Sequence, residues 1–442
     1  MRNFIKLLFL LLFCPSVLSA AGNAEHVVVI VWDGMRPDFI TQELTPTLYQ
    51  LAQSGVNFEN HHSAYLTATE VNGTAIATGQ NPARSGILAN RMYFPKIKAL
   101  EPVDTQDPKT ILAGDDLSHG HYLMSPTVAE ILQSTGRKTR IAGSKAVALL
   151  HDRRQRPDDY ELGVNLFEGK ALPPSALTPV TNLLGKFPGT QTNSALPNEP
   201  RDEWTTSALL GPLWTNDVPA FSLLWLSEPD FSQHAKGPGS PKALAALANC
   251  DRKLAAVLRE LERRGIRDKT DVFVVSDHGF STIQSTVDVA KKLNAAGFKA
   301  SRRFQSTPDR GDILIVSQSG SVFFYVTDHD SKVIKKLVQF LQKQEFSGAI
   351  FTRKGMKGTF ALSEAGIDAK EAPDVVLSMR WSDVRSKTGA PGCFVSDGGV
   401  PGSGAHASLC RSDLHNICIA AGPDLKKGFK NTMPTGNVDL AP

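Results

Sequence analysis

The chain is 442 residues long, 21% charged and 41% hydrophobic, with a formal net charge of +4 at neutral pH. That is room for one large domain or two modest ones around a real buried core. A charge this close to neutral falls to +2 once Arg2 and Lys6 leave with the N-terminal segment, which argues against a nucleic-acid scaffold.

In chain order, residues 1–21 read as a secretory signal. Arg2 and Lys6 form a basic start, residues 7–13 a short apolar stretch, and Ser19-Ala20-Ala21 a small-residue cleavage site, with Gly22 as the mature start. The stretch is shorter than the ~20 apolar residues that a membrane span needs. Phe13 ahead of Cys14 is too bulky for lipoprotein processing. No other stretch is apolar enough to cross a bilayer, so a secreted or periplasmic protein is expected. Cys250, Cys393, Cys410 and Cys418 then remain, an even number that fits one or two disulfides or a set of buried thiols.

Continuous apolar runs of strand length follow at 27–32, 221–226, 272–275 and 417–420, and 139–144 reads as a further strand. Unbroken apolar strands suit a parallel sheet covered on both faces. Between them, Thr45-Pro46, Ser125-Pro126 and Ser240-Pro241 each pair a hydroxyl N-cap with proline at the first helical position. The first of these helices closes at Gly55. The third runs to Gly265 and carries Leu244, Leu247, Leu254, Val257, Leu258 and Leu261 along one face. Strand, helix, strand in this order predicts an α/β fold with a mostly parallel central sheet flanked by helices. Residues 151–205 read as a long surface excursion. Residues 281–395, with a hairpin at Gly320, a helix over 332–344 and a strand over 375–379, read as a small α+β cap insertion. The core is then 22–280 with 396–442.

Ligands of open α/β sheets bind beyond the carboxyl ends of the strands. Here those ends carry Asp33, then Asp230 and His234, then Asp277 and His278, with His406 shortly before the last strand. Three aspartates and three histidines suit zinc, and six ligands are too many for one catalytic ion. Shared between two ions roughly 4 Å apart, they suit an in-line phosphoryl displacement. Thr69, at the start of a helix after the first helical segment, supplies a nucleophile, and Asn72, one turn on, an amide to donate to a phosphoryl oxygen. Singly, an Asp after a strand is more often a cap, Thr69 an ordinary N-cap and Asn72 a surface polar group. Asn72-Gly73-Thr74 also matches a glycosylation sequon, which is set aside because it falls inside the site.

Together these motifs resemble the alkaline phosphatase superfamily, and within it the type I phosphodiesterase/nucleotide pyrophosphatase family. The resemblance rests on Val31-Trp32-Asp33-Gly34-Met35-Arg36-Pro37-Asp38, the 69–79 segment, Glu228-Pro229-Asp230 with His234, Ser276-Asp277-His278-Gly279, and Gly404-Ala405-His406. It implies an alkaline-phosphatase-like core and one zinc held by Asp230, His234 and His406. The second zinc is held by Asp33, Asp277 and His278, with Thr69 as nucleophile beside it. It also implies a phospho-threonine intermediate, hydrolysed by water activated at the other zinc. Glu70 and Val71 stand where relatives place an aromatic residue and a proline, so no base-stacking residue is expected there. Relatives usually continue past a run like 437–442 into a closing helix, and the sequence leaves open whether the chain is a C-terminally truncated fragment.

The resemblance leaves open which ester is cleaved. Lys145 and Arg84 are the cationic candidates for a monoester's extra charge, although Lys145 reads first as a solvated or structural lysine. Glu70 beside Thr69 opposes that charge and tips the expectation toward phosphodiesters or pyrophosphates of small, nucleotide-like molecules. Sulfatases need a Cys/Ser-x-Pro-x-Arg motif that does not follow Thr69. Cofactor-independent phosphoglycerate mutases are cytosolic and use serine. A non-catalytic binding module would lack a ligand, and none is lacking.

Overall fold

Four of the apolar runs become strands of a single nine-stranded sheet. A computed structural model describes residues 22–154, 161–189 and 198–441; the expected leader lies outside them. The strand His26–Trp32 sits near the middle, parallel to Thr270–Val275 on one side and to Phe221–Leu226 on the other. Thr139–Gly143 and Gly163–Phe167 extend the parallel set beyond Phe221–Leu226. Cys418–Ala421 pairs antiparallel with Thr270–Val275, and Lys170–Leu172 antiparallel with Gly163–Phe167. Val56–Phe58 and Phe429–Asn431 complete the other edge.

Gly163–Phe167 corrects the sequence reading of a surface excursion over 151–205. All five of its residues are buried, and the helix Glu199–Leu210 packs behind Thr139–Gly143. The strand is hard to see because it is short and carries Asn165 in its centre. Its Nδ2 donates to the carbonyls of Ala148 and Asp152, while its Oδ1 is buried without a hydrogen-bond partner. The helix expected from Ser125-Pro126 begins instead at Val128, where Thr127 and Glu130 form a reciprocal capping box. Thr45 and Ser240 are N-caps as expected. The helix Pro241–Arg263 buries Leu247, Leu254, Val257 and Leu261 against the sheet, at about 1.5–3 kcal/mol per fully buried side chain.

After Thr270–Val275 the chain leaves the main sheet. Ser281–Val287 pairs with Pro391–Asp397 and with Gly404–Ala405 in a four-stranded sheet. A six-stranded sheet contains the hairpin Ile313–Ser317 to Ser321–Val326 about Gly320, together with Val375–Met379, and Ser331–Leu341 is the expected helix. Phe304, Leu314, Phe323 and Val376 from this region share a core with Tyr65, Leu66, Ala68 and Val71. The second sheet therefore braces the segment that carries Thr69.

Cys250, Cys393, Cys410 and Cys418 are free, buried thiols, so no disulfide joins them. Among the described residues, no helix is long and apolar enough to cross a membrane.

Beneath the sheet, His151 meets Trp225 edge-on at 5.7 Å, and its Nε2 is buried without a partner. Burial drives its pKa from 6.5 down to about 3. Between those values the unfolded chain binds a proton that the native state refuses, so stability falls as pH drops through that window and is unaffected above it. We expect His151→Leu to make the unfolding free energy fall less steeply from pH 6.5 toward about pH 5, the slope changing by up to about 1.4 kcal/mol per pH unit. Denaturant titrations at several pH values measure this; an unchanged slope would mean that His151 protonates in the native fold.

Candidate functional site

Three neighbouring strands end together, and their first loop residues converge. Asp33 follows His26–Trp32, Asp230 opens the helix Asp230–Lys236 just beyond Phe221–Leu226, and Asp277 and His278 follow Thr270–Val275. The backbone locks these ends: the Asp33 N–H donates to the Leu226 carbonyl at 3.2 Å and the Asp230 N–H to the Asp33 carbonyl at 2.9 Å. Gly34 turns the chain with a φ of +73°, and a Cβ there would stand 2.9 Å from the Phe280 ring. His406 arrives from the Gly404–Ala405 strand, its ring stacked on His278 with centroids 3.8 Å apart.

Each aspartate has one oxygen anchored and the other left over. Asp33 Oδ2 accepts from Trp225 Nε1 at 2.9 Å. Asp277 Oδ1 accepts from the Gly34 and His278 N–H groups, both at 3.0 Å. Asp230 Oδ1 accepts from Lys145 Nζ at 2.9 Å. Asp33 Oδ1, Asp230 Oδ2 and Asp277 Oδ2 are buried with no hydrogen-bond partner. Burying carboxylate oxygens this way is costly unless a cation meets them.

The histidines show why no proton donor fills that gap. His234 Nδ1 faces the Gly404 carbonyl at 3.1 Å, His278 Nδ1 the Gly279 carbonyl at 2.8 Å, and His406 Nδ1 the Thr67 carbonyl at 2.8 Å. A carbonyl only accepts, so each Nδ1 carries the proton; His278 and His406, kept neutral by burial, turn an Nε2 lone pair inward, whereas at His234 burial is outweighed by Asp230, which raises the pKa. His234 Nε2 lies 3.2 Å and His406 Nε2 3.7 Å from Asp230 Oδ2. His278 Nε2 lies 3.3 Å from Asp277 Oδ2 and 3.7 Å from Asp33 Oδ1. Lone pairs thus face the same three unpartnered oxygens. Imidazoles oriented by backbone acceptors behind them are the usual support of metal ligands.

Ligand atoms of Asp33, Asp277 and His278 lie within 4.8 Å of one another, as do those of Asp230, His278 and His406. His278 thus belongs to both groups, and His234, with its side chain 43% exposed, meets Asp230 from the mouth. The titration pattern is that of an anion-rich cluster. Burial pushes the Asp277 carboxyl up to about 7 and, with Asp277 as a neighbour, raises Asp33 well above the usual range. Burial pushes Asp230 up too, but Lys145 and His234 outweigh it and hold that group well below its ordinary value. Burial lowers His278 and His406, keeping both rings neutral.

Thr69 starts the helix Thr69–Thr78 and is 2% exposed, with Oγ1 3.2 Å from His278 Nε2. Ala68 at the N-cap offers no side-chain acceptor, so the positive end of the helix stays turned toward the cluster.

The Asn72 amide is engaged within the fold. Its Nδ2 donates to the carbonyls of Ala64, Leu66 and Ala68, and its Oδ1 accepts from the Ala64 N–H, so the amide is spent holding the loop before Thr69. Asn90 is the amide that sequence reasoning misses, because a lone asparagine in a loop looks like a turn residue. Its Oδ1 accepts from the Glu70 N–H at 3.1 Å, and its Nδ2 has no partner among the described residues.

Lys145, which reads from sequence as a solvated or structural lysine, lies in the centre. Its Nζ is 2.9 Å from Asp33 Oδ2 and 2.9 Å from Asp230 Oδ1, bridging the two groups. Arg84 is exposed on the short helix Pro82–Ser85, and no ion pair ties it to the site among the described residues. Glu70 is buried, and burial together with Asp104 drives its carboxyl far toward the neutral acid. The buried setting therefore disfavours the negative charge expected beside Thr69.

A family model described as type I phosphodiesterase/nucleotide pyrophosphatase matches residues 27–391. The chain belongs to this family. A family relative in Xenopus laevis, bis(5'-adenosyl)-triphosphatase, is 23% identical over 291 residues, which cover 66% of this chain and 54% of that one. Ectonucleotide pyrophosphatase/phosphodiesterase family member 1 of Mus musculus is 24% identical over 276 residues, covering 60% and 26%. The chain spans about half, or less, of the length of these relatives. Murine ectonucleotide pyrophosphatase/phosphodiesterase 5, solved as an inactive variant in complex with AMP, matches at a TM-score of 0.64 and 16% identity. That match covers 94% of this chain and 93% of the other. The family's alkaline-phosphatase-like fold is the one found here.

Three carboxylate oxygens that lack partners make a direct prediction. Zinc added to chelator-treated protein should raise the melting temperature by several degrees, since a ligand at a hundred times its Kd stabilises the fold by about 2.7 kcal/mol. The Asp33→Asn/Asp277→Asn variant should lose most of that rise. Equal melting with and without metal would contradict the reading.

Proposed function

We propose that this chain is an exported, metal-dependent hydrolase that cleaves phosphodiester or pyrophosphate bonds of small, nucleotide-like substrates through a phospho-threonine. One observation carries the reading: Thr69 Oγ1 lies 3.2 Å from His278 Nε2, at the imidazole common to both candidate metal groups. Membership of the phosphodiesterase family supports the reaction class.

The donor set fits two divalent ions. Asp33, Asp277 and His278 would hold one, beside Thr69, and Asp230, His234 and His406 the other; nitrogen and carboxylate ligands suit zinc. Bound there, the ions would supply Lewis-acid charge that favours the Thr69 alkoxide and offsets negative charge on the phosphoryl oxygens. Thr69 Oγ1 bonds to phosphorus as the bond to the leaving oxygen breaks, and water later cleaves the phospho-threonine. The N-terminus of the Thr69–Thr78 helix turns its positive end to the phosphoryl group. Asn90, its carbonyl fixed by the Glu70 N–H, turns its amide Nδ2 to a phosphoryl oxygen. Residues 281–395 act as a cap that braces the nucleophile's segment.

A second reading, phosphomonoester hydrolysis at the same site, is favoured by two findings: the Lys145 ammonium between the two groups and the burial of Glu70, which disfavours its charge. The ratio of kcat/KM for bis-p-nitrophenyl phosphate to that for p-nitrophenyl phosphate, in zinc-loaded protein, separates them. We expect the diester to be preferred, and Thr69→Ala to lose at least roughly a thousandfold in kcat while retaining zinc. A monoester preference that Lys145→Ala abolishes would establish the second reading. Full activity in Thr69→Ala would overturn both.

A further inference from the structure

Asp202 lies outside the reacting cluster, on the helix Glu199–Leu210, and is 1% exposed. It has no ion-pair partner within 4.0 Å among the described residues; four neutral donors converge on it instead. Its Oδ1 accepts from Ser144 Oγ at 2.5 Å, Ser227 N–H at 2.8 Å and Ser227 Oγ at 2.9 Å, and its Oδ2 from the Glu228 N–H at 3.2 Å. Ser144 Oγ in turn accepts from the Ser227 N–H at 2.8 Å.

The location gives these bonds their meaning. The parallel ladder between Thr139–Gly143 and Phe221–Leu226 ends at the Gly143 and Trp225 pair, with one last bond from the Ser144 N–H to the Trp225 carbonyl. Beyond that point the backbones no longer pair, and the Asp202 carboxylate is the cross-link. Ser144 immediately precedes Lys145, and Ser227 and Glu228 lead into Asp230. Lys145 Nζ and Asp230 Oδ1 meet at 2.9 Å. Taking a carboxylate out of water with no ion-pair partner among the described residues is costly, and a purely structural staple between two strands has cheaper neutral solutions. A carboxylate, however, accepts four donors at once and so fixes both strand ends to one point.

We propose that Asp202 is a positioning residue that sets the spacing of Lys145 and Asp230 by clamping the strand ends that carry them. The proposal rests on the hydrolase reading above. It predicts that Asp202 acts through Lys145, which a double-mutant cycle reads directly. With bis-p-nitrophenyl phosphate and zinc-loaded protein, Asp202→Asn keeps the shape but sets an amide donor against the Glu228 N–H or the serine donors. Ser144→Ala removes one leg of the clamp and carries the cycle if the first variant fails to fold. Each of Asp202→Asn, Ser144→Ala and Lys145→Ala should lower kcat by roughly tenfold with little change in KM. Combined with Lys145→Ala, either clamp variant should cost no more than about twofold further, because the residue it positions is gone.

Losses that multiply in the double variants would mark Asp202 as a merely structural residue and overturn the proposal. So would an unchanged kcat in folded Asp202→Asn and Ser144→Ala, or in Lys145→Ala. Thr69→Ala in the same series separates the two levels. Activity surviving in it removes the hydrolase reading, whereas a dead Thr69→Ala beside an additive cycle removes only the positioning role.

Discussion

Three aspartates buried at the ends of adjacent strands each turn one oxygen toward an imidazole lone pair. Every other donor nearby is already committed: Trp225 to Asp33, the Gly34 and His278 N–H groups to Asp277, and Lys145 to Asp33 and Asp230. The backbone carbonyls of Gly404, Gly279 and Thr67 take the imidazole protons, so the rings cannot supply the missing positive charge while neutral. Carboxylate oxygens and lone pairs in this arrangement call for cations, and the reading of the site follows from that electrostatic demand.

The fold meets the demand by making the site rigid. The parallel register of His26–Trp32 with both neighbours brings Asp33, Asp230 and Asp277 to one level, and the large buried side chains Trp32, Trp225 and Phe280 fill the space around them. Thr69 is held from a different direction. Its helix is buried along nearly its whole length, and the second sheet packs on the residues just before it. Gly73 lets that helix approach closely, since a Cβ there would stand 2.6 Å from Val147 Cγ2. The nucleophile's helix is thus braced from both sheets, and it meets the ligand set at His278.

Much of this was legible in the sequence because strand ends are local. An apolar run followed by Asp, or by Asp-His, can be read without knowing the partners, and the order of the motifs supplied the rest. What the sequence hid depends on orientation. Asn72 and Asn90 are alike as letters, yet one amide is consumed by the Ala64, Leu66 and Ala68 carbonyls and the other stands free beside Thr69. Glu70 reads as a charge, and burial raises its carboxyl well above the usual range. Lys145 reads as a surface lysine until the sheet sets it between two aspartates. The Gly163–Phe167 strand escaped because Asn165 breaks its apolar pattern, and only its Nδ2 is met, by the carbonyls of Ala148 and Asp152.

The central claim is that the lone pairs of His234, His278 and His406 and the free oxygens of Asp33, Asp230 and Asp277 are cation ligands. Anomalous X-ray diffraction across the zinc absorption edge, on crystals of zinc-loaded protein, tests it most directly. The account predicts two anomalous peaks, one beside Asp33, Asp277 and His278 and one beside Asp230, His234 and His406, each at about 2.0–2.1 Å from the Nε2 atoms. No anomalous signal there, with the Nε2 atoms hydrogen-bonded to water instead, would contradict it.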